Sequence, residues 1–130
     1  MKKYRLLFAD DMEIWHDKIE EIVEEYPSVK VIHVSTAEQA LELVKKKKVD
    51  ILITDDNFIM AGGHVNGCEL AEDIRDMEKK RKCKHIYIAM YADTITEEEA
   101  KESGADIIVH KGDNLLKYVI KKAIDCVKNK

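Results

Sequence analysis

The sequence predicts an α/β fold of the doubly wound kind: a parallel five-stranded sheet of order 2-1-3-4-5, with helices on both faces. Three observations predict it. Short apolar or β-branched runs alternate with amphipathic stretches five times along the chain. Several of the runs are nearly continuous in apolar residues, as strands covered on both faces must be. Right-handed crossovers leave two common orders, 3-2-1-4-5-6 and 2-1-3-4-5, and five βα units fit the second.

The elements follow in order. Tyr4–Ala9 is a short apolar run and reads as the first strand. Glu13–Tyr26 is helical, with Trp15, Ile19, Ile22, Val23 and Tyr26 on one stripe, and Pro27 stops it. Val29–Val34 is β-branched and forms strand two. Ser35 with Glu38 has the spacing of a capping box and opens a helix through Lys47. Its end carries Lys45–Lys48, cations that suit a helix C-terminus. Asp50–Thr54 is strand three, and a loop of about eleven residues containing Gly62, Gly63 and Gly67 follows it. Cys68–Lys80 is helical, with Leu70, Ala71, Ile74 and Met77 inward. Ile86–Ala89 is strand four, and Glu97–Ser103 is a short acidic helix stopped by Gly104. Asp106–Val109 is strand five, and Asn114–Lys128 is the last helix. This is the (βα)5, flavodoxin-like arrangement.

Composition bounds the function. The 130 residues suit one domain, 1–130, without a separate output domain. The 26 acids outnumber the 22 bases, which argues against a nucleic-acid binder and against anionic membrane surfaces. Cys68, Cys83 and Cys126 are far apart and form no C-x-x-C pair, so reduced thiols are expected. No signal-peptide pattern or membrane-length apolar run is present, so a cytoplasmic protein is expected.

In the expected order, strands one and three are neighbours, and ligands bind beyond their C-terminal ends. Strand one runs into Asp10 and Asp11, strand three into Asp55, and strand five into His110 and Lys111. Two carboxylates about 5 Å apart repel by roughly 3 kcal/mol at an effective dielectric of 20, so three together call for a cation. All-oxygen donors select Mg2+, with Mn2+ able to substitute, over zinc. Such an ion leaves positions for phosphate oxygens. Asp55 is then placed to accept a phosphoryl group as an aspartyl-phosphate, with the Lys111 ammonium against another oxygen. Each part also has a plain structural reading. Asp10 with Glu13 fits a helix start, and Asp55 or Asp56 fits a loop cap. The set of acids after strands one and three with a lysine after strand five is harder to reach by accident.

Here the sequence resembles the receiver domain of two-component response regulators, typified by the bacterial chemotaxis response regulator. The resemblance spans essentially the whole chain. Its carriers are Leu-Leu-Phe-Ala-Asp10-Asp11, Asp50-Ile-Leu-Ile-Thr-Asp55-Asp-Asn57, Asn66-Gly67-Cys-Glu-Leu70, Tyr91-Ala-Asp93 and Gly104-Ala-Asp-Ile-Ile-Val-His-Lys111. The resemblance implies that Asp55 is the phosphoacceptor and that Asp10, Asp11, Asp55 and the backbone carbonyl of Asn57 hold Mg2+. It implies that Lys111 binds the phosphate. It also implies a histidine kinase or histidine phosphotransfer protein as donor, self-catalysed transfer and hydrolysis, and a downstream protein partner that the sequence does not name. A chain of this length would signal by protein contact or as a phosphorelay step.

The sequence departs from the family at four places. The family's Ser or Thr at the end of strand four falls on Ala89 by an ungapped count back from Gly104, while a one-gap count puts Tyr91 there. The switch aromatic of strand five falls on Ile108. Lys111 is followed by Gly112 rather than proline. The segment Phe58–Asn66 is about four residues longer than usual and carries His64. Two other readings therefore stand beside the active receiver. One is a receiver-like binding module that does not depend on phosphorylation. The other is a Mg2+ phosphohydrolase, disfavoured by Asn57 where such enzymes carry an acid. His64 and Cys68 offer two soft-metal donors on the glycine-rich loop, too few to define a site. His16, His33 and His85 read as structural or exposed, and Trp15 reads as packing.

Overall fold

The structure, a computed structural model, describes residues 3–58, 65–93, 95–111 and 115–129. Its elements alternate throughout: β1 (Tyr4–Ala9), α1 (Glu13–Val23), β2 (Val29–Val34), α2 (Ala37–Lys46), β3 (Ile51–Thr54), α3 (Gly67–Lys79), β4 (Tyr87–Tyr91), α4 (Glu97–Ser103), β5 (Ile107–Val109) and α5 (Leu116–Lys128). The sheet order is β2-β1-β3-β4-β5, as the sequence predicts, and every pairing is parallel.

Period-two alternation divides the strand side chains between two cores. Leu7, Ala9, Leu52, Ile88 and Met90 face α2, α3 and α4, where Ala40, Leu70, Ile74 and Ala100 meet them. Leu6, Phe8, Ile51, Ile53, Ala89 and Tyr91 face α1 and α5, where Ile19, Val119, Ile120 and Ala123 meet them. With both faces covered, β3 and β4 are buried along their full lengths.

Several boundaries differ from the sequence expectation. The N-cap of α2 is Thr36, whose side chain accepts from the Gln39 N–H. Ser35 instead donates its N–H and hydroxyl to Gln39 Oε1, so the Ser35–Glu38 box is not formed. Helix α1 ends at Val23, short of Tyr26. Strand β4 runs two residues beyond Ala89, to Tyr91. Asn114, the expected start of the last helix, lies outside the described residues. Helix α4 begins with a complete Thr96–Glu99 capping box, and its acids Glu97, Glu98 and Glu99 lie in the first turn, where the helix dipole favours them. It ends at Gly104, whose φ of 103° suits glycine.

Gly67 is needed for close approach rather than for conformation. A Cβ there would lie 2.2 Å from the carbonyl oxygen of Asp55 and 2.9 Å from the Cα of Asp56. The start of α3 therefore packs directly on the backbone that carries Asp55.

Candidate functional site

The sheet register brings three strand ends together. Ala9 pairs with Thr54, so Asp10 and Asp55 follow side by side, and the Asp55 N–H donates to the Ala9 carbonyl at 2.9 Å. Asp10, Asp11 and Asp55 each offer an oxygen within 4.8 Å of the others, and among the described residues no other three acids, histidines or cysteines come together this way. Lys111, just beyond β5, reaches across the sheet end. Its Nζ donates to Asp10 Oδ2 at 2.6 Å and to Asp55 Oδ2 at 3.1 Å. These are the residues the sequence singled out. Asn57 follows Asp55 by two positions in the loop leaving β3.

The local hydrogen bonds differ among the acids. Asp10 is 1% exposed, and its Oδ1 accepts from the Met12 N–H at 2.8 Å. It does not cap α1, whose N-cap, Met12, makes no side-chain bond. Asp55 Oδ1 accepts from the Asp56 N–H at 2.8 Å. Asp56 is the structural acid of the loop: its Oδ1 accepts from the Cys68 N–H at the start of α3.

Three carboxylates face one ammonium, and the surroundings of Asp55 and Lys111 reflect the imbalance. Burial, reinforced by the charge on Asp10, holds the Asp55 carboxyl above its usual range despite the opposing pull of Lys111. Burial works to lower the Lys111 ammonium, but the hydrogen bond and charge of Asp10, with help from Asp55, outweigh it and raise it. Lys111 is thus chiefly the partner of Asp10, in keeping with the shorter contact. Asp55 is left with an incompletely compensated charge. A hard divalent cation fits this donor set, since all the ligand atoms are oxygens and the cluster is two charges short of neutral.

The expectation that Ala89 borders this site is corrected by the strand pairing. Ala89 pairs with Ile53 and lies fully buried two residues below the strand end. Thr54 pairs with Met90, so the residue level with Asp55 is Tyr91. The ungapped count ran through α4 and its leading loop, where a length difference is invisible to counting. Tyr91 is 1% exposed, its ring packs edge-on against Trp15 at 5.3 Å, and its hydroxyl has no hydrogen-bond partner among the described residues. Burial, then the charges on Asp93 and Asp10, push its phenol up. Trp15 packs as expected, and its ring also lies 5.3 Å from the Lys111 ammonium.

Ile108 pairs with Met90 and packs half-buried against the α2–α4 core, so no aromatic ring stands at that position. Gly112, His64 and most of the long loop after Phe58 lie outside the described residues. Phe58 itself is 2% exposed and joins the same core. Among the described residues, no helix is long and apolar enough to cross a membrane.

Comparison with known proteins agrees with this geometry. The family model of the response regulator receiver domain matches residues 6–123. Comparison with curated proteins finds no significant match. The fold is similar to the receiver domain of the putative response regulator NarL from Mycobacterium tuberculosis, with TM-score 0.79, 18% identity and all of both chains covered. It is similar to the receiver domain of the histidine kinase CKI1 from Arabidopsis thaliana, complexed with Mg2+ and BeF3−, with TM-score 0.73, 22% identity and 94% of this chain and 90% of that one covered. It is also similar to a chain in the co-crystal of the Saccharomyces cerevisiae phosphotransfer protein Ypd1 with the receiver domain of Ssk1, with TM-score 0.73, 17% identity and coverage of 85% and 79%. The chain belongs to the response regulator receiver domain family of two-component signalling.

Proposed function

We propose that this domain accepts a phosphoryl group on Asp55 from a phosphohistidine of a histidine kinase or phosphotransfer protein, and passes the signal on by protein contact or onward relay. The observation that carries the reading is the paired carboxylates Asp10 and Asp55 bridged by Lys111 Nζ, with Asp11 completing an all-oxygen cluster. Asp10, Asp11, Asp55 and the Asn57 carbonyl would hold Mg2+. When bound, the ion neutralises phosphoryl oxygens and offsets repulsion between the acids.

The protein's own groups do the rest. The Asp56 N–H and Lys111 orient the Asp55 carboxylate from opposite oxygens. An Asp55 oxygen forms the new O–P bond as the donor's N–P bond breaks, and the imidazole leaves with the bonding pair and takes up a proton. Lys111 keeps its charge through the reaction and pairs with a phosphoryl oxygen. Tyr91 occupies the strand position level with Asp55, where the family carries Ser or Thr, and its buried hydroxyl, without a partner among the described residues, is the available donor toward the phosphoryl group. With Ile108 on β5 no inward-turning ring is available there, so the state of the site is read through Tyr91 and Trp15 on the α1 face.

The test is transfer from a phosphohistidine-loaded phosphotransfer protein. Label should pass to this chain as acid-stable, base-labile phosphate and quench or enhance Trp15 fluorescence. Retention of all label on the donor, with the fold intact and Mg2+ present, would favour a receiver-like module that binds its partner without phosphorylation.

A further inference from the structure

The groove between α1 and β2 holds a set of groups that the phosphoryl site does not use. His16 on α1 donates its Nε2–H to the Asp10 backbone carbonyl at 2.7 Å. His33 on β2 donates its Nε2–H to the Glu20 carboxylate at 2.5 Å. A carbonyl and a carboxylate only accept, which assigns the Nε2 protons to both rings, and a ring of that tautomer presents Nδ1 as a lone pair. The two Nδ1 atoms face one another at 2.6 Å. Two lone pairs at that distance repel, so the pair calls for a cation: a shared proton at this spacing, or a metal ion with the rings slightly further apart.

The surroundings favour the metal. Metal-bound histidines almost always give the other ring N–H to a carboxylate or a backbone carbonyl, which fixes tautomer and ring orientation, and both rings here are held that way. Glu13, Asp17 and Glu20 line the same groove and give it negative charge that favours a cation. In a tetrahedral site with zinc–nitrogen bonds of about 2.0–2.1 Å, two nitrogens stand roughly 3.3 Å apart, so the rings need open by less than about 1 Å. The His33 side chain is 32% exposed and has room to do so.

We propose that this groove binds a borderline divalent cation of the zinc class through His16 Nδ1 and His33 Nδ1, with water completing the shell. Imidazole donors favour such an ion over Mg2+, so this site and the acidic cluster select different metals. The inference does not depend on phosphorylation of Asp55.

The experiment is Zn2+ titration of the full chain in excess Mg2+, followed by ring-nitrogen NMR and by competition with a chromophoric chelator. The Nδ1 signals of His16 and His33 should move together and saturate at one Zn2+ per chain. His33→Gln should weaken binding at least tenfold, and Glu20→Gln, which keeps both ligands, by about tenfold. Unmoved Nδ1 signals would overturn the proposal in favour of the shared proton. Equal Zn2+ affinity in His33→Gln would overturn it in favour of the acidic cluster or the thiols.

Discussion

Two ion clusters in this domain are built from similar parts and behave differently. The first joins α3 to the starts of β4 and β5. Arg75 bonds Glu78 at 2.6 Å, Asp106 at 2.8 Å and the carbonyls of Ile86 and Gly104, both at 2.8 Å. Its two acids are held further by the backbone, Glu78 accepting from the Ile86 N–H and Asp106 from the Ile88 N–H, and Glu78 Oε1 also meets the His85 ring at 3.2 Å. The second cluster, at the other end of the strands, sets Asp10, Asp11 and Asp55 against Lys111. Both carry more carboxylates than cations. In the first, a five-donor guanidinium and fixed backbone N–H groups discharge the excess. In the second, Asp55 keeps an incompletely compensated charge and its carboxyl is raised. A cluster closed by its own chain holds a fold together, whereas one left short of positive charge is poised for a cation and an anionic substrate.

The contrast is sharpest when each cluster loses its cation. Lys111→Met leaves Asp10 and Asp55 buried side by side and should cost about 3–5 kcal/mol in urea unfolding without divalent ions. Mg2+ should restore a large part of that. Arg75→Met should cost roughly 2–3 kcal/mol, since its partners are partly solvated and keep their backbone donors, and Mg2+ should restore none. Equal Mg2+ rescue in both variants would break the comparison.

The strand register gives a smaller effect. Ala89→Thr puts a hydroxyl and a methyl into the core level with Ile53, so it should cost about 1–3 kcal/mol and leave phosphoryl loss from the folded fraction unchanged. Tyr91→Phe removes a hydroxyl without a described partner. It should leave stability nearly unchanged and alter the lifetime of the phosphorylated state severalfold, measured as loss of phosphate over time. The reverse pattern would return Ala89 to the site.

Asp55→Asn should raise stability. A carboxyl whose folded pKa lies above its unfolded value of 3.8 destabilises the fold once it ionises. Wild-type stability therefore falls, relative to the variant, as pH rises from 3.8 through the folded pKa, and the full penalty is present at neutral pH. Without Mg2+ the variant should melt above the wild type at neutral pH, and the gap should close below pH 3.8.

Much of this was legible in the sequence because the signals are periodic or terminal. Apolar runs mark strands, and the residue after a strand marks the crevice, so Asp10, Asp55 and Lys111 follow from the strand order alone. The place of Tyr91 was not legible by counting from Gly104, because a strand's register is set by pairing with its neighbour and not by the length of the helix after it. The Arg75 cluster was hidden for a related reason: Arg75 and Asp106 are 31 residues apart and meet only through the crossover. His16 and His33 were read as structural singles, since nothing along the chain shows that α1 lays one ring against the other.

The central claim is that Asp55 is the phosphoacceptor, and intact-protein mass after incubation with acetyl phosphate and Mg2+ tests it most directly. The account predicts a gain of one phosphoryl group that requires Mg2+ and is absent in Asp55→Asn treated and quenched alike. An equal gain in Asp55→Asn, or no gain in a folded wild-type chain that also refuses a phosphohistidine donor, would contradict it.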